Sequence, residues 1–274
     1  MTQGNDTEEQ VLKLELRLAQ LDRIDACHGN FIPFVRSMWP EFITGRHHKI
    51  IAEKLERVAK GELKRLIINM PPRHTKSEFA SYLFPAWMIG KHPNMKIIQA
   101  THTTELAVGF GRKVKNLLER DEYLEIFPDA KLAVDSKASG RWDTARGGMY
   151  YAVGVGSNLA GRGADLCIID DPHSEQTAMS TNGFDDAWDW YTGGPRQRLQ
   201  PGGAIIVVMT RWSEKDLTGQ LTRSMARDPL ADQWEIVEFP MELPSGDACW
   251  PEYWGQEDLT AVKASIPVSK WNAQ

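Results

Sequence analysis

Cysteine is scarce in this chain. Three occur in 274 residues, at Cys27, Cys167 and Cys249, and no two stand at CxxC spacing. That scarcity excludes a disulfide framework and argues against a structural zinc site, so reduced thiols are expected. Long apolar runs are lacking as well: nothing approaches the roughly 20 consecutive apolar residues of a membrane-spanning helix. The opening MTQGNDTEEQ is polar and acidic, unlike a secretory or transit leader. Excess positive charge is missing too. A formal net charge of −5 argues against a surface that coats nucleic acid wholesale, and leaves room only for a local basic patch or a ring in which each subunit contributes a few cations. The seven histidines fall into no metal-ligand spacing. There is no internal repeat and no low-complexity tract.

What the chain does hold is alternation. Val11, Leu12, Leu14, Leu16, Leu18, Leu21 and Ile24 recur at mostly helical spacing between Glu8 and Ala26. Ile50, Ile51, Leu55 and Val58 mark one face of a second helix over residues 47–60, which Gly61 ends. Beyond it, RLIINM (65–70), KIIQAT (96–101), LCIID (166–170) and AIIVVMT (204–210) read as buried strands, with weaker ones at 150–153 and 234–239. Helices are expected over 77–89, kinked or shortened by Pro85, and over 103–120 and 214–225. This order predicts an α/β fold: a mostly parallel central sheet with helices on both faces, preceded by N-terminal helices. The expected division is a helical segment at 1–45, a core at 46–240 and an extension at 241–274, where Pro, Gly and Trp accumulate. Most of the tryptophans read as core or interface residues.

The run RLIINMPPRHTKSE, residues 65–78, supplies the parts of a triphosphate site in order. These are a strand, a polar loop, a helix N-terminus, a lysine (Lys76) for the β- and γ-phosphates and a hydroxyl (Ser77) for Mg²⁺. Pro72, Arg73, His74 and Thr75 complete the loop. Met70 and Thr75 occupy both glycine positions of GxxxxGK[ST], so the loop alone is explained equally well as a capped helix start. Arg73 favours the site: a second cation at a helix N-terminus opposes the dipole unless an anion lies between it and Lys76.

The strand LCIID runs into Asp170-Asp171-Pro172. Paired acids at a strand tip suit a metal-holding carboxylate, Asp170, and a water-activating one, Asp171, with Glu175 in reserve; Asp-Asp-Pro is also ordinary turn chemistry. Arg162, between Gly161 and Gly163, could project from a mobile loop as a charge-stabilising finger, or be a plain surface arginine. Thr210 and Arg211 end the last strong strand, where Thr210 could sense a γ-phosphate and Arg211 relay the change or contact a neighbour. A strand simply leaving the core explains them as well. His47 and His48 open the second helix, and one imidazole could contact a base or ribose; surface polar filling is the alternative.

Taken in order, RLIINMPPRHTKSE, IIQATHTTELA, SNLAGRGADLCIIDDP and VVMTRWSEKDL resemble the N-terminal ATPase region of tailed-phage large terminase subunits, over roughly residues 46–221. The resemblance implies a P-loop fold of ASCE type and an ATPase, with ATP and Mg²⁺ as cofactors, that moves double-stranded DNA into a procapsid. It also implies a homo-oligomeric ring on a portal protein, a small terminase subunit as partner, and the host cytoplasm during phage assembly as location. No membrane partner is expected. Carried over residue by residue, Arg73, Lys76 and Ser77 fall in a deviant Walker A motif, and Asp170 and Asp171 on Walker B and the catalytic acid. Arg162 matches an arginine acting across a subunit interface, and Thr210 lies in a coupling motif. Thr75 stands where relatives often carry Gly, and Asp171 where the acid is more often Glu. Full terminases also carry an RNase H-like nuclease; no β-rich region with clustered carboxylates follows Pro240, so DNA cleavage is not expected of this chain. A helicase-like translocase and a degenerate nucleotide-binding scaffold without turnover are the alternatives. A metal nuclease centred on Asp170 and Asp171 lacks a third carboxylate.

Overall fold

The strands in the middle of the chain are apolar on both faces, and this decides the architecture. The structure, a computed structural model, describes residues 3–136 and 138–271. Helices α1 (Gln3–Gly29), α2 (Phe31–Met38) and α3 (Arg46–Ala59) precede β1 (Arg65–Asn69), and a π-helical turn over Glu78–Leu83 then runs into α4 (Phe84–Lys91). β2 (Lys96–Thr101), α5 (Thr104–Leu118) and α6 (Asp121–Ile126) follow, then β3 (Arg141–Asp143), β4 (Met149–Gly154) and β5 (Ala164–Asp170). The short helices α7 (Glu175–Met179), α8 (Gly183–Gly193) and α9 (Pro195–Arg198) lead to β6 (Leu199–Met209), α10 (Leu217–Arg227) and β7 (Glu235–Glu238). α11 (Gln256–Ser265) and α12 (Val268–Trp271) come last.

The seven strands form one sheet in the order β3-β4-β2-β5-β6-β1-β7. Every pairing is parallel except β3 with β4. Alternate residues of the central strands feed two separate cores, as a period of two requires. Leu66, Ile68, Ile97, Leu166, Ile168, Ile206 and Val208 join α2, α3, α4 and α5 on one face. Ile67, Ile98, Cys167, Ile169, Ile205 and Val207 join Tyr191 of α8 and Leu217 and Leu221 of α10 on the other. The strand carrying the lysine loop, β1, and the strand ending in paired acids, β5, are not neighbours. β6 runs between them, the strand order of an ASCE-type P-loop fold.

Register then positions the site. Asn69 aligns with Met209, Val208 with Asp170, and Asp170 with Thr101, so β1, β6, β5 and β2 finish level at one edge. Open α/β sheets place ligands at such carboxyl edges.

One element differs from the sequence expectation. The helix expected over 77–89 is a π turn followed by α4, and Pro85 sits in the first turn of α4, where its missing N–H leaves no partner wanting. At the N-terminus, Cys27, Phe31, Phe34 and Val35 are packed in the same cluster as Leu55, Phe84 and Trp87. The C-terminal extension is docked on the core: Trp250 is buried against the rings of His47 and His48. The three cysteines are free and buried. Among the described residues, no helix is long and apolar enough to cross a membrane, and no cluster of His, Cys, Asp and Glu is arranged to hold a metal by itself.

Candidate active site

Lys76 and Asp171 meet at the level edge of the sheet. Lys76 Nζ lies 2.7 Å from Asp171 Oδ2, with the lysine side chain almost fully buried. Burial works against its ammonium, but Asp171 first and Asp170 next outweigh that, and its pKa is raised. The second oxygen of Asp171, Oδ1, accepts from the Thr210 backbone N–H at 2.9 Å. Thr210 Oγ1 in turn donates to the Met70 carbonyl at 3.3 Å. One carboxylate thus ties the β5 tip to the β6 tip and to the loop after β1.

Asp170 is buried, and its Oδ2 accepts a hydrogen bond from Ser81 Oγ at 2.7 Å. Gln99 of β2 donates to the same Ser81 oxygen at 3.0 Å. Desolvation, then the neighbouring Asp171 charge, push the Asp170 pKa up to about 7, against the opposing pull of Lys76, Ser81 and Ser77. Its other oxygen, Oδ1, is buried with no hydrogen-bond partner. A buried carboxylate oxygen in that state, beside a serine hydroxyl, suits a hard divalent cation with oxygen ligands. Asp170 and Ser77 therefore fit the role of Mg²⁺ holders.

The loop itself is bent in a way side chains resist. Arg73 and Thr75 both have φ of 63°, and Asp171 has 42°, all in the left-handed region that glycine enters freely. Thr75, at the second glycine position of the strict motif, takes the glycine-like backbone without being glycine. Hydrogen bonds hold it there. His48 Nδ1 accepts from the Gly45 N–H at 2.9 Å, which leaves Nε2 to carry the proton. Nε2 donates to Thr75 Oγ1 at 2.6 Å, and the Thr75 hydroxyl donates to the His74 carbonyl at 2.6 Å. Burial, then His47 and His74, pull the His48 pKa down to about 2, so the imidazole is neutral. Gly45 is glycine because a Cβ there would meet Trp250 at 2.6 Å.

A cleft of about 270 Å³ opens over the loop. Arg73, Thr75, Lys76, Ser77 and Glu78 line one wall; Trp39, Phe42 and Ile43 from the α2–α3 connection, with Trp250 and Tyr253, line the other.

The residues singled out from sequence separate into two groups. Arg73, Thr75, Lys76 and Ser77 border the cleft; Asp171 pairs with Lys76 and accepts from the Thr210 N–H, and Asp170 lies beside Lys76 and Ser77. Pro72, His74, His48, Arg211 and Arg162 lie elsewhere. Pro72 is exposed and has no N–H to offer. His74 is buried under Trp250 and Trp254, and His48 reaches the loop rather than the cleft. Arg211 is held by Asp216 at 3.0 Å and Glu238 at 3.2 Å within its own chain. Arg162 lies over the Tyr151 ring, 3.7 Å from its centroid. Tyr151 is level with Cys167, three residues short of the Asp170 tip, so Arg162 is about 10 Å below the Lys76 cluster along the strands. Sequence reading missed Ser81, Gln99 and the aromatic wall. A glutamine inside the otherwise apolar KIIQAT strand, and a serine one turn after Ser77, were the available signals for the first two.

No family model matches the sequence, and no curated protein is recognisably related to it in sequence. Among solved structures, the HK97 bacteriophage large terminase superposes with a TM-score of 0.54 at 16% identity, covering 89% of this chain and 51% of that one. The fold is that of a phage large terminase. The large terminase of the thermophilic bacteriophage D6E, solved in complex with ATP-gamma-S, is a more distant likeness, with a TM-score of 0.44 at 10% identity over 80% of this chain and 50% of that one. The chain spans about half the length of these large terminases.

Proposed function

We propose that this chain binds ATP with Mg²⁺ in the cleft over Lys76, hydrolyses it, and serves as the motor of a phage packaging machine that drives double-stranded DNA into a procapsid. The observation that carries the reading is the meeting of Lys76, Ser77, Asp170 and Asp171 at one sheet edge, beneath a cleft of about 270 Å³. In its assembled form the motor is a homo-oligomeric ring on a portal protein, supplied with DNA by a small terminase subunit; the terminase-like fold and the ordered motifs support this.

The chemistry follows from the residues. Lys76, Arg73 and the loop N–H groups before the π turn receive the phosphates. Asp170 and Ser77 would hold Mg²⁺, which neutralises phosphate charge and orients the terminal phosphate. In the free chain Lys76 is neutralised by Asp171. A triphosphate offers Lys76 another anion and releases Asp171 Oδ2 to orient water, while Oδ1 stays anchored on the Thr210 N–H. That anchor gives the β6 tip a direct mechanical link to the reacting centre. Arg162, distant from its own Lys76, fits a role towards the site of a neighbouring subunit.

A second reading, a nucleotide-binding scaffold without turnover, is favoured by one observation: both Asp171 oxygens are already engaged. Turnover measured with Mg²⁺ and ATP at high protein concentration separates the two. The motor reading expects hydrolysis that falls by on the order of 10²-fold or more in Asp171→Asn, with ATP still bound. Binding with no turnover at any concentration would leave the scaffold.

A further inference from the structure

Helix α1 carries a face that its own chain leaves open. Val11, Leu14, Leu18 and Leu21 are 48, 71, 60 and 44% exposed. Their spacing of three, four and three residues is the a/d repeat of a coiled coil. The helix meets the core at its other end, through Ile24 and the buried Cys27 and through Arg23 bonded to Ser37 and Glu125. Contiguous exposed leucines of this kind mark an interaction surface.

The flanking charges say what fits. With Val11 at an a position, Glu15 and Asp22 occupy e and Arg17 occupies the g between them. In a parallel, in-register pair of identical helices, Arg17 of each copy faces Asp22 of the other, twice by symmetry. An antiparallel pair would set Glu15 against Asp22, acid on acid. The seam stops at Asp25 and His28, the next a and d positions, where the helix joins the core.

We propose that α1 is a self-association element: residues 11–21 pair with the same residues of a second copy of this chain as a short parallel coiled coil. Leu12 and Leu16, at b and f, stay outside the pair. A seam this short, under two heptads, is marginal in isolation, so the pairing acts between copies at high concentration or already brought close. The proposal rests on the exposed seam and its flanking charges, and stands whether or not the chain hydrolyses ATP.

Because the native cysteines are buried, an introduced surface thiol reports pairing cleanly. Leu14→Cys sits at a d position, where a parallel pair brings the two Cβ atoms within disulfide reach; Leu12→Cys faces away. Under mild oxidation of the whole chain, Leu14→Cys is expected to give several-fold more covalent dimer than Leu12→Cys. Adding Arg17→Glu should remove that excess, and adding Asp22→Arg as well should restore it. Equal cross-linking at the two positions, no cross-linking at either, or indifference to Arg17→Glu would each overturn the proposal.

Discussion

At the residue scale the site is shaped by groups held in states they would not choose alone. Thr75 sits at φ 63°, a conformation that costs an L-residue about 1–2 kcal/mol, and a hydrogen bond from His48 holds it there. Thr75→Gly removes the strain and loses two bonds, from His48 and to the His74 carbonyl, each worth about 1 kcal/mol. Gain and loss nearly cancel, and thermal unfolding should show little change in Tm. Thr75→Val keeps the strain and loses both bonds, so its Tm should fall by about 2–4 °C for each kcal/mol lost. Asp170 gives a pH signature. Its pKa rises on folding from an ordinary 3.8 to about 7, so its contribution to stability is fully present below the lower value and lost as pH rises through the upper one. Asp170→Asn stays neutral throughout. It should match the native chain at about pH 4 and exceed it by a few degrees in Tm at about pH 8.

At the scale of elements, the second-layer contacts are what local sequence could not reveal. Ser81 reaches Asp170 because the chain after Ser77 forms a π turn, and Gln99 joins them because β2 lies next to β5. Ser81→Ala should weaken Mg²⁺ binding by about 10-fold or more, as loss of an orienting partner does, while metal-free nucleotide binding holds; isothermal titration with and without Mg²⁺ checks both. The four main strands and α3 and α5 were legible because buried parallel strands are continuously apolar and their covering helices periodic. The start of β6 was hidden: the apolar run begins at Ala204, yet the strand runs from Leu199 through Gln200, Pro201, Gly202 and Gly203. The site was legible where one segment holds it, as at Lys76 and Ser77. It was not where folding decides, as with His48 turning to Thr75, or Trp250 and Tyr253 arriving from the C-terminal extension to wall the cleft.

At the scale of the molecule, the level ends of β1, β6 and β5 bring lysine, hydroxyl and acids together. Arg162 lies over Tyr151 in its own chain, and the proposed function directs it to the site of a neighbouring subunit. Arg162→Ala should leave ATP affinity unchanged and lower turnover of the assembled form by on the order of 10³-fold, with little effect on the slow turnover of the isolated chain; comparing the two states by steady-state kinetics tests this. If Lys76 seats a triphosphate, nucleotide must displace Asp171 from it. The most direct measurement is a structure determined with Mg²⁺ and a non-hydrolysable ATP analogue. The terminal phosphates are expected between Lys76 Nζ and the Asp170 carboxylate, with Asp171 Oδ2 released from the lysine. An analogue bound elsewhere, or a Lys76–Asp171 pair left intact at saturating nucleotide, would contradict that expectation.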